Sequence, residues 1–348
     1  MEQVITVIQK ECGKESIRQG IISGGVRNWP SISTRSISLD RALGIGGVPK
    51  GRIVEIFGPE SSGKTTQALI ICAEAQKLGG VAAFIDAEHA IDPNYAEALG
   101  VNLDELLFSQ PDSAEETLQI THKLIQSGKL AVVVVDSVAA LVPQAEIDGE
   151  IGDSHMGLQA RLIGQALRKM KADVAKTKTC CIFINQLRDK MNTGGFGPAE
   201  ITPGGRALKF YASVRLDIRR IGALTESDQK IGNITKVRVV KNKLAPPFKE
   251  ATFNIIYGKG IEKEGDIFDT AIRLGIIGKK SSFFYYGEKA LGNGRSNSMK
   301  TIIEGKLMDE IETKVRTQLF DNVVPVEIPA SESEESGEDD ENIPEEKK

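Results

Sequence analysis

Residues 58–65 read Gly-Pro-Glu-Ser-Ser-Gly-Lys-Thr and fit the pattern G-x-x-x-x-G-K-[ST]. The chemistry this pattern supports is the binding of a nucleoside triphosphate. Glycines leave room for backbone N–H groups to close on phosphate oxygens, and the positive end of a following helix adds to their pull. Lys64 is placed to reach the β- and γ-phosphates, and Thr65 to ligate Mg²⁺. The stretch Gly58, Pro59, Glu60, Ser61, Ser62, Gly63, Lys64, Thr65 and Thr66 is therefore assigned to the phosphates.

Three further groups could complete a hydrolytic site. Asp136 ends the apolar run "LAVVVVD" and suits water-mediated contact with Mg²⁺. Asp86 and Glu88 lie in "IDAEHA". Glu88 is the better candidate for polarising the attacking water, because Asp86 sits closer to the strand and is expected to support structure. Gln186 closes "CCIFINQ" and carries no charge, so it is a poor base. It can donate a hydrogen bond to a γ-phosphate and so sense whether one is present. Directly after it comes "LRDKMNTGGFGPAEITPGG", a Gly- and Thr-containing loop longer than compact domains ordinarily carry without a use. Loss of the γ-phosphate would remove a charge-assisted bond of about 1.5–3 kcal/mol, enough to switch such a loop.

These groups need a scaffold that brings strand ends together. From about residue 52 strand and helix patterns alternate. "RIVEIF", "VAAFIDA", "ELLFSQ", "LAVVVVDSV" and "TCCIFINQ" read as strands. Helices are expected over 63–78, over "DPNYAEAL" with Asp92 as cap and Pro93 in the first turn, over 113–127, and over 155–177. This alternation predicts a mostly parallel sheet covered on both faces, with ligands beyond the carboxyl ends of the strands. Residues 207–221, 234–243 and 248–257 then read as strands without intervening helices, adding antiparallel members. A short helix ending near Gly20–Gly25 is expected at the N-terminus. The divisions expected are an N-terminal segment 1–29, a core 30–261, a small α/β domain 262–321 with a final helix near 308–320, and a tail 322–348.

Composition excludes several classes. The longest apolar run is interrupted by Asp136, so no membrane span is expected, and the N-terminus lacks the form of a signal peptide. Four scattered cysteines, two adjacent in a strand pattern, fit buried free thiols of a cytoplasmic protein. His89, His122 and His155 lie far apart without cysteine partners, so a histidine metal site is not expected. Residues 331–348 hold nine acidic and two basic residues, net −7, against −4 for the chain, which leaves +3 for the rest. Such a tail is either a solubilising segment or a competitor for a basic surface.

Longer stretches carry a family resemblance. "SISLDRALGIGGVPKGRIVEIFGPESSGKTT", "FIDAEHAIDPNYAEALGV", "VVVVDSVAALVPQAEIDGEIGDSHMGLQARL", "INQLR", "TPGGRALKFYASVRLDIRRIGA" and "VVKNKLAPPFKEATFNIIYGKGI" resemble the bacterial RecA recombinases, from about residue 30 to 321. The resemblance implies a RecA-type ATPase core with ATP and Mg²⁺ as cofactors. It implies a filament of many copies on single-stranded DNA, pairing and strand exchange with double-stranded DNA, and activation of self-cleavage by a LexA-type repressor. It further implies DNA loops from Glu146 to Met156 and from Leu187 to Gly205. Met156, Arg161, Arg168, Arg188, Phe196, Gly204 and Gly205 match positions near DNA. Asp92 and Tyr95 match positions that hold adenine, with Tyr257 nearby. Lys241 and Lys243 match a pair that reaches the ATP of the neighbouring protomer. The segment 262–321 resembles a domain thought to capture duplex DNA. The chain departs from the family at Arg35, where glycine is usual. It departs again in the second loop, one residue longer and with Thr193-Gly194-Gly195 beside Met191, a candidate base wedge. A helicase or repair ATPase on the same core, a nucleotide-gated scaffold and a small-molecule kinase are the other readings. The first would lack "GEIGDSHMGLQARL", and the last needs an acceptor pocket with a base.

Overall fold

The computed structural model describes residues 1–13, 16–17, 29–150, 157–189 and 200–321. Met156, Met191, Phe196, the centres of both loops and the acidic tail lie outside the described residues. Helix α1 (Glu2–Cys12) ends at Gly13, earlier than the expected end, where φ of +97° is open to glycine and stops the helix. Strands β1 (Ser31–Ile32) and β2 (Val48–Pro49) pair antiparallel and enclose α2 (Ile37–Leu43). The Ser36 hydroxyl caps α2 by accepting from Leu39 N.

The expected alternation follows. It runs β3 (Ile53–Gly58), α3 (Lys64–Lys77), β4 (Val81–Asp86), α4 (Pro93–Ala98), β5 (Leu107–Ser109) and α5 (Ala114–Gln126). It continues through β6 (Leu130–Asp136), a one-turn α6 (Gln144–Ile147), α7 (Leu158–Thr177) and β7 (Cys180–Gln186). Asp92 caps α4 by accepting from Asn94 N at 2.9 Å, with Pro93 in the first turn. Short strands β8 (Arg188–Asp189) and β9 (Glu200–Ile201) pair across the base of the second loop.

The strand expected over 207–221 needs correction. Its first residues form α8 (Ala207–Tyr211), and β10 (Val214–Glu226) starts only after it. One helical turn buries Leu208 and leaves Phe210 exposed, an arrangement that aromatic-rich local composition masks. Then come β11 (Gln229–Asn242), β12 (Glu250–Ile256) and β13 (Gly260–Ile261). The C-terminal part holds α9 (Lys263–Arg273), β14 (Gly278–Lys280), β15 (Phe283–Tyr286), β16 (Lys289–Asn293), α10 (Arg295–Glu304) and α11 (Met308–Arg316).

Among the described residues nine strands form one sheet, in the order β13-β12-β11-β10-β3-β7-β6-β4-β5. The six from β10 to β5 are parallel, and β11, β12 and β13 are antiparallel additions. The apolar run of β6 has its reason here: Val132 and Val134 enter the core on one face, Val133 and Val135 the core on the other. A third core gathers the C-terminal elements around Phe268 and Phe284, and Ile37 of α2 joins it. Polar groups fasten the same seam, since Asp266 Oδ2 accepts from Ser36 Oγ at 2.6 Å and from Ser38 N at 3.1 Å.

Arg35 takes φ of +65°, the left-handed region that explains a preference for glycine there. A side chain in this region costs about 1–2 kcal/mol. The guanidinium offsets it, with Nε donating to Glu74 Oε1 and Nη1 to the Leu99 carbonyl, each at 2.8 Å. The arginine thereby ties the turn before α2 to α3 and to the end of α4.

Candidate active site

The parallel strands deliver their ends to one edge, and β3 runs there into the phosphate loop. Gly58 is obligatory, because a Cβ would lie 2.1 Å from the carbonyl oxygen of Ile218 on neighbouring β10. Gly63 at φ +95° opens α3. Lys64 is buried, its Nζ donating to the Pro59 carbonyl at 2.6 Å. Burial pushes its pKa down, against the pull of Asp136, Glu88 and Glu60. A buried ammonium resting on a single neutral carbonyl favours a phosphate arriving beside it.

Thr65 Oγ1 donates to Asp136 Oδ2 at 2.6 Å, bringing the loop and the end of β6 together. Burial raises the Asp136 carboxyl to about 7, with Glu88 and Asp86 adding to the rise and the Thr65 bond opposing it. A hydroxyl and a carboxylate are hard oxygen donors, and the pair fits Mg²⁺ shared with phosphates. Asp86 is buried and accepts from Ile91 N and Gln110 Nε2, each at 3.1 Å, so it holds the segment leading to α4.

Glu88 is exposed at the mouth. Its Oε1 accepts from Gln186 Nε2 at 2.7 Å and also from Ser137 Oγ. The candidate base and the candidate sensor, 98 residues apart in the chain, are thus in direct contact. Ser137 has no motif that would mark it; its only signal is its place after Asp136. Thr66 Oγ1 lies 3.0 Å from the Tyr95 hydroxyl, which brings α4 onto α3. Tyr257 is half exposed, and its hydroxyl donates to Asn233 at 2.9 Å.

Behind Gln186, Asn185 is fully buried. Its Nδ2 donates to Glu55 Oε1 at 3.1 Å and to the Pro203 carbonyl at 3.2 Å, at the returning end of the second loop. Arg215 Nε donates to the other Glu55 oxygen, and its guanidinium lies 4.5 Å from the Phe57 ring centroid. Neither Asn185 nor Glu55 is among the residues the motifs single out. Gly204 and Gly205 take φ of +80° and +73°, and Cβ atoms there would meet Val138 at 2.7 Å and Ala160 at 2.8 Å. These two glycines therefore have a packing reason that is independent of any ligand. Arg161, Arg168 and Arg188 are exposed.

Lys241 and Lys243 sit away from the phosphate loop, at the far end of β11. Lys241 Nζ donates to the Lys209 and Phe210 carbonyls at 2.6 and 3.1 Å. Burial, with Lys243 and Arg215 nearby, pushes its pKa down.

Phosphate donors at the head of α3 and hard oxygens one hydrogen bond away suit a nucleoside triphosphate together with its cation. The protein is thus a phosphate-loop nucleoside triphosphatase on a RecA-type core. The family model for the RecA N-terminal domain matches residues 1–262, and that for the RecA C-terminal domain matches residues 265–320. Protein RecA of Rubrobacter xylanophilus is 56% identical over 324 residues, 93% of this chain and 92% of that protein. Protein RecA of Allochromatium vinosum is 56% identical over 317 residues, 91% of each chain. Protein RecA of Geobacter sulfurreducens is 56% identical over 316 residues, 90% of this chain and 93% of the other. The chain belongs to the RecA family. It is a DNA recombinase with DNA-dependent ATPase activity. Among the described residues no helix is long and apolar enough to cross a membrane.

Proposed function

We propose that this chain polymerises with ATP and Mg²⁺ on single-stranded DNA in the cytoplasm, pairs that strand with homologous duplex and exchanges strands. In this reading Lys64 and the backbone from Gly58 to Thr66 hold the phosphates, and Thr65 and Asp136 hold the cation, which neutralises phosphate charge when bound. Asp92, Tyr95 and Tyr257 cradle adenine. Glu88 polarises the attacking water and Gln186 reports the γ-phosphate to the loop 187–205. Arg161, Arg168 and Arg188, with Met156, Phe196, Gly204 and Gly205, face DNA. Lys241 and Lys243 reach the ATP of the next protomer. Residues 1–29 pack against a neighbour, 30–261 form the motor and 262–321 receive duplex. The tail 322–348 competes with duplex, and the assembled filament activates a LexA-type repressor.

The observation that carries this reading is the contact of Gln186 with Glu88 at 2.7 Å. It joins the hydrolytic end of the site to the first residue before the loop, so nucleotide state and loop state have a common part. The test is strand exchange between a circular single strand and linear homologous duplex with ATP and Mg²⁺. Joint molecules that depend on homology support the reading. DNA-stimulated hydrolysis without joint molecules would instead favour a repair ATPase that moves on DNA.

A further inference from the structure

Arg35 stands where the family usually has glycine, and no step of the proposed function uses it. It carries two costs that glycine would avoid. Its φ of +65° lies in the left-handed region. Its Nη2 is buried with no hydrogen-bond partner among the described residues, which forfeits the hydration of a charged donor. Backbone strain that persists against such costs points to a use for the residue. What the guanidinium holds is the far end of α4. Nη1 donates to the Leu99 carbonyl, which closes that helix, and Nε donates to Glu74 Oε1 on α3, each at 2.8 Å. α4 has six residues, of which only Ala96 is buried. A helix so short has little stability of its own and takes its orientation from what it touches.

The contacts form a closed frame. Leu99 N donates to the Tyr95 carbonyl at 3.0 Å, so the residue that Arg35 grips is bonded to the turn that carries Tyr95. The Tyr95 hydroxyl in turn meets Thr66 Oγ1 at 3.0 Å. α3 and α4 are thereby joined at two points, directly through Thr66 and Tyr95 and through the guanidinium between Glu74 and Leu99. Glu74 stands about 12 Å beyond Thr66 along α3, at 1.5 Å per residue. A helix held at one point can pivot; held at two it has a fixed angle. Arg35, Glu74 and Tyr257 also line one cavity of about 860 Å³. We propose that Arg35 is a positioning residue for the nucleoside end of the nucleotide: acting through Leu99 and braced by Glu74, it sets the angle at which α4 presents Tyr95 to adenine. The role rests on the reading of α4 as the adenine side of the site. It is confined to the base, because no atom of Arg35 or Glu74 bonds to the phosphate loop.

The experiment compares a ligand that has the base with one that lacks it. The full chain, without DNA, is titrated by isothermal calorimetry with a non-hydrolysable ATP analogue and with inorganic tripolyphosphate, both with Mg²⁺. Arg35→Gly removes the guanidinium and suits the left-handed backbone, so the turn itself is kept. It should weaken the analogue about fivefold, part of the worth of one charge-assisted hydrogen bond, and leave tripolyphosphate at its wild-type affinity. Glu74→Ala should lower the same ratio in the same direction. The double variant should be no worse than Arg35→Gly alone, because the two residues form one brace. Equal losses for both ligands would overturn the proposal by showing a general structural role. So would an unchanged ratio in Arg35→Gly, or losses that simply add in the double variant. Tyr95→Ala separates the inference from the reading beneath it. If Tyr95→Ala lowers the ratio and Arg35→Gly does not, the inference alone falls; if neither lowers it, α4 does not hold adenine and both fall.

Discussion

Gln186→Ala tests the proposed link between nucleotide and DNA. In this structure the amide of Gln186 donates to Glu88 at 2.7 Å, while the backbone N–H of Gln186 is held separately by Asn185 Oδ1 at 3.0 Å. Truncation therefore removes the amide that meets Glu88 and leaves the strand end anchored. A hydrogen bond to a charged acceptor is worth about 1.5–3 kcal/mol when shielded. Glu88 is exposed and Gln186 half-buried, so solvent screening reduces this to about 1 kcal/mol. Divided by RT, that is about a fivefold loss in the factor by which ATP tightens DNA binding. The assay is fluorescence anisotropy of a labelled single strand, with and without a non-hydrolysable ATP analogue, at one fixed salt concentration, because phosphate contacts make affinity steeply salt-dependent. Linkage requires DNA to tighten nucleotide binding by the same reduced factor. Nucleotide affinity without DNA should stay near wild type, because Lys64, Thr65 and Asp136 are untouched. A variant that keeps the full ATP-induced gain would refute the coupling and leave Gln186 as the polar end of a strand.

Three other outcomes are expected. Glu88→Gln should bind ATP yet lose nearly all hydrolysis, leaving long-lived complexes on DNA; turnover near wild type in a phosphate-release assay would remove Glu88 from its role. Lys243→Ala should be inactive alone but regain part of its ATPase when mixed with Lys64→Ala, since some interfaces then combine an intact phosphate loop with intact lysines; no recovery at any ratio would argue against action across protomers. Asp40 is fully buried, and burial lifts its pKa from 3.8 to about 6 against the opposing donors Ser33 and Thr34. Its contribution to stability is thus full below the unfolded pKa and is lost as pH rises through 6. The stability difference between wild type and Asp40→Asn, from urea unfolding, should fall by about 2.5 kcal/mol between pH 4 and 7.5 at ~1.4 kcal/mol per unit; a flat difference would contradict the raised value.

What could be read from the chain without coordinates was what local pattern encodes. The phosphate loop, the capped start of α4 at Asp92-Pro93 and the apolar run of β6 each carry their signal within a few residues. The turn of helix at Ala207–Tyr211 did not, because one turn leaves too short a period to separate from a strand. Contacts across long separations were also silent. Nothing near Glu88 announces Gln186 or Ser137, and nothing in "RIVEIF" marks Glu55 as the buried acceptor for Asn185 and Arg215. Arg35 was legible as a departure from the family, but its compensation by Glu74 and Leu99 depends on α3 and α4 meeting in space.

The bond from Asn185 to the Pro203 carbonyl bears on how this second loop can evolve. One buried side chain grips the chain where the loop departs and where it returns, so the loop is a closed ring on a fixed base. For a ring of this kind the entropy of closure grows only as the logarithm of its length. One additional residue then costs less than ~0.1 kcal/mol. Insertions and exchanges between the two anchored ends therefore place almost no load on the sheet beneath. The loop can diversify in length and composition while the nucleotide machinery stays as it is.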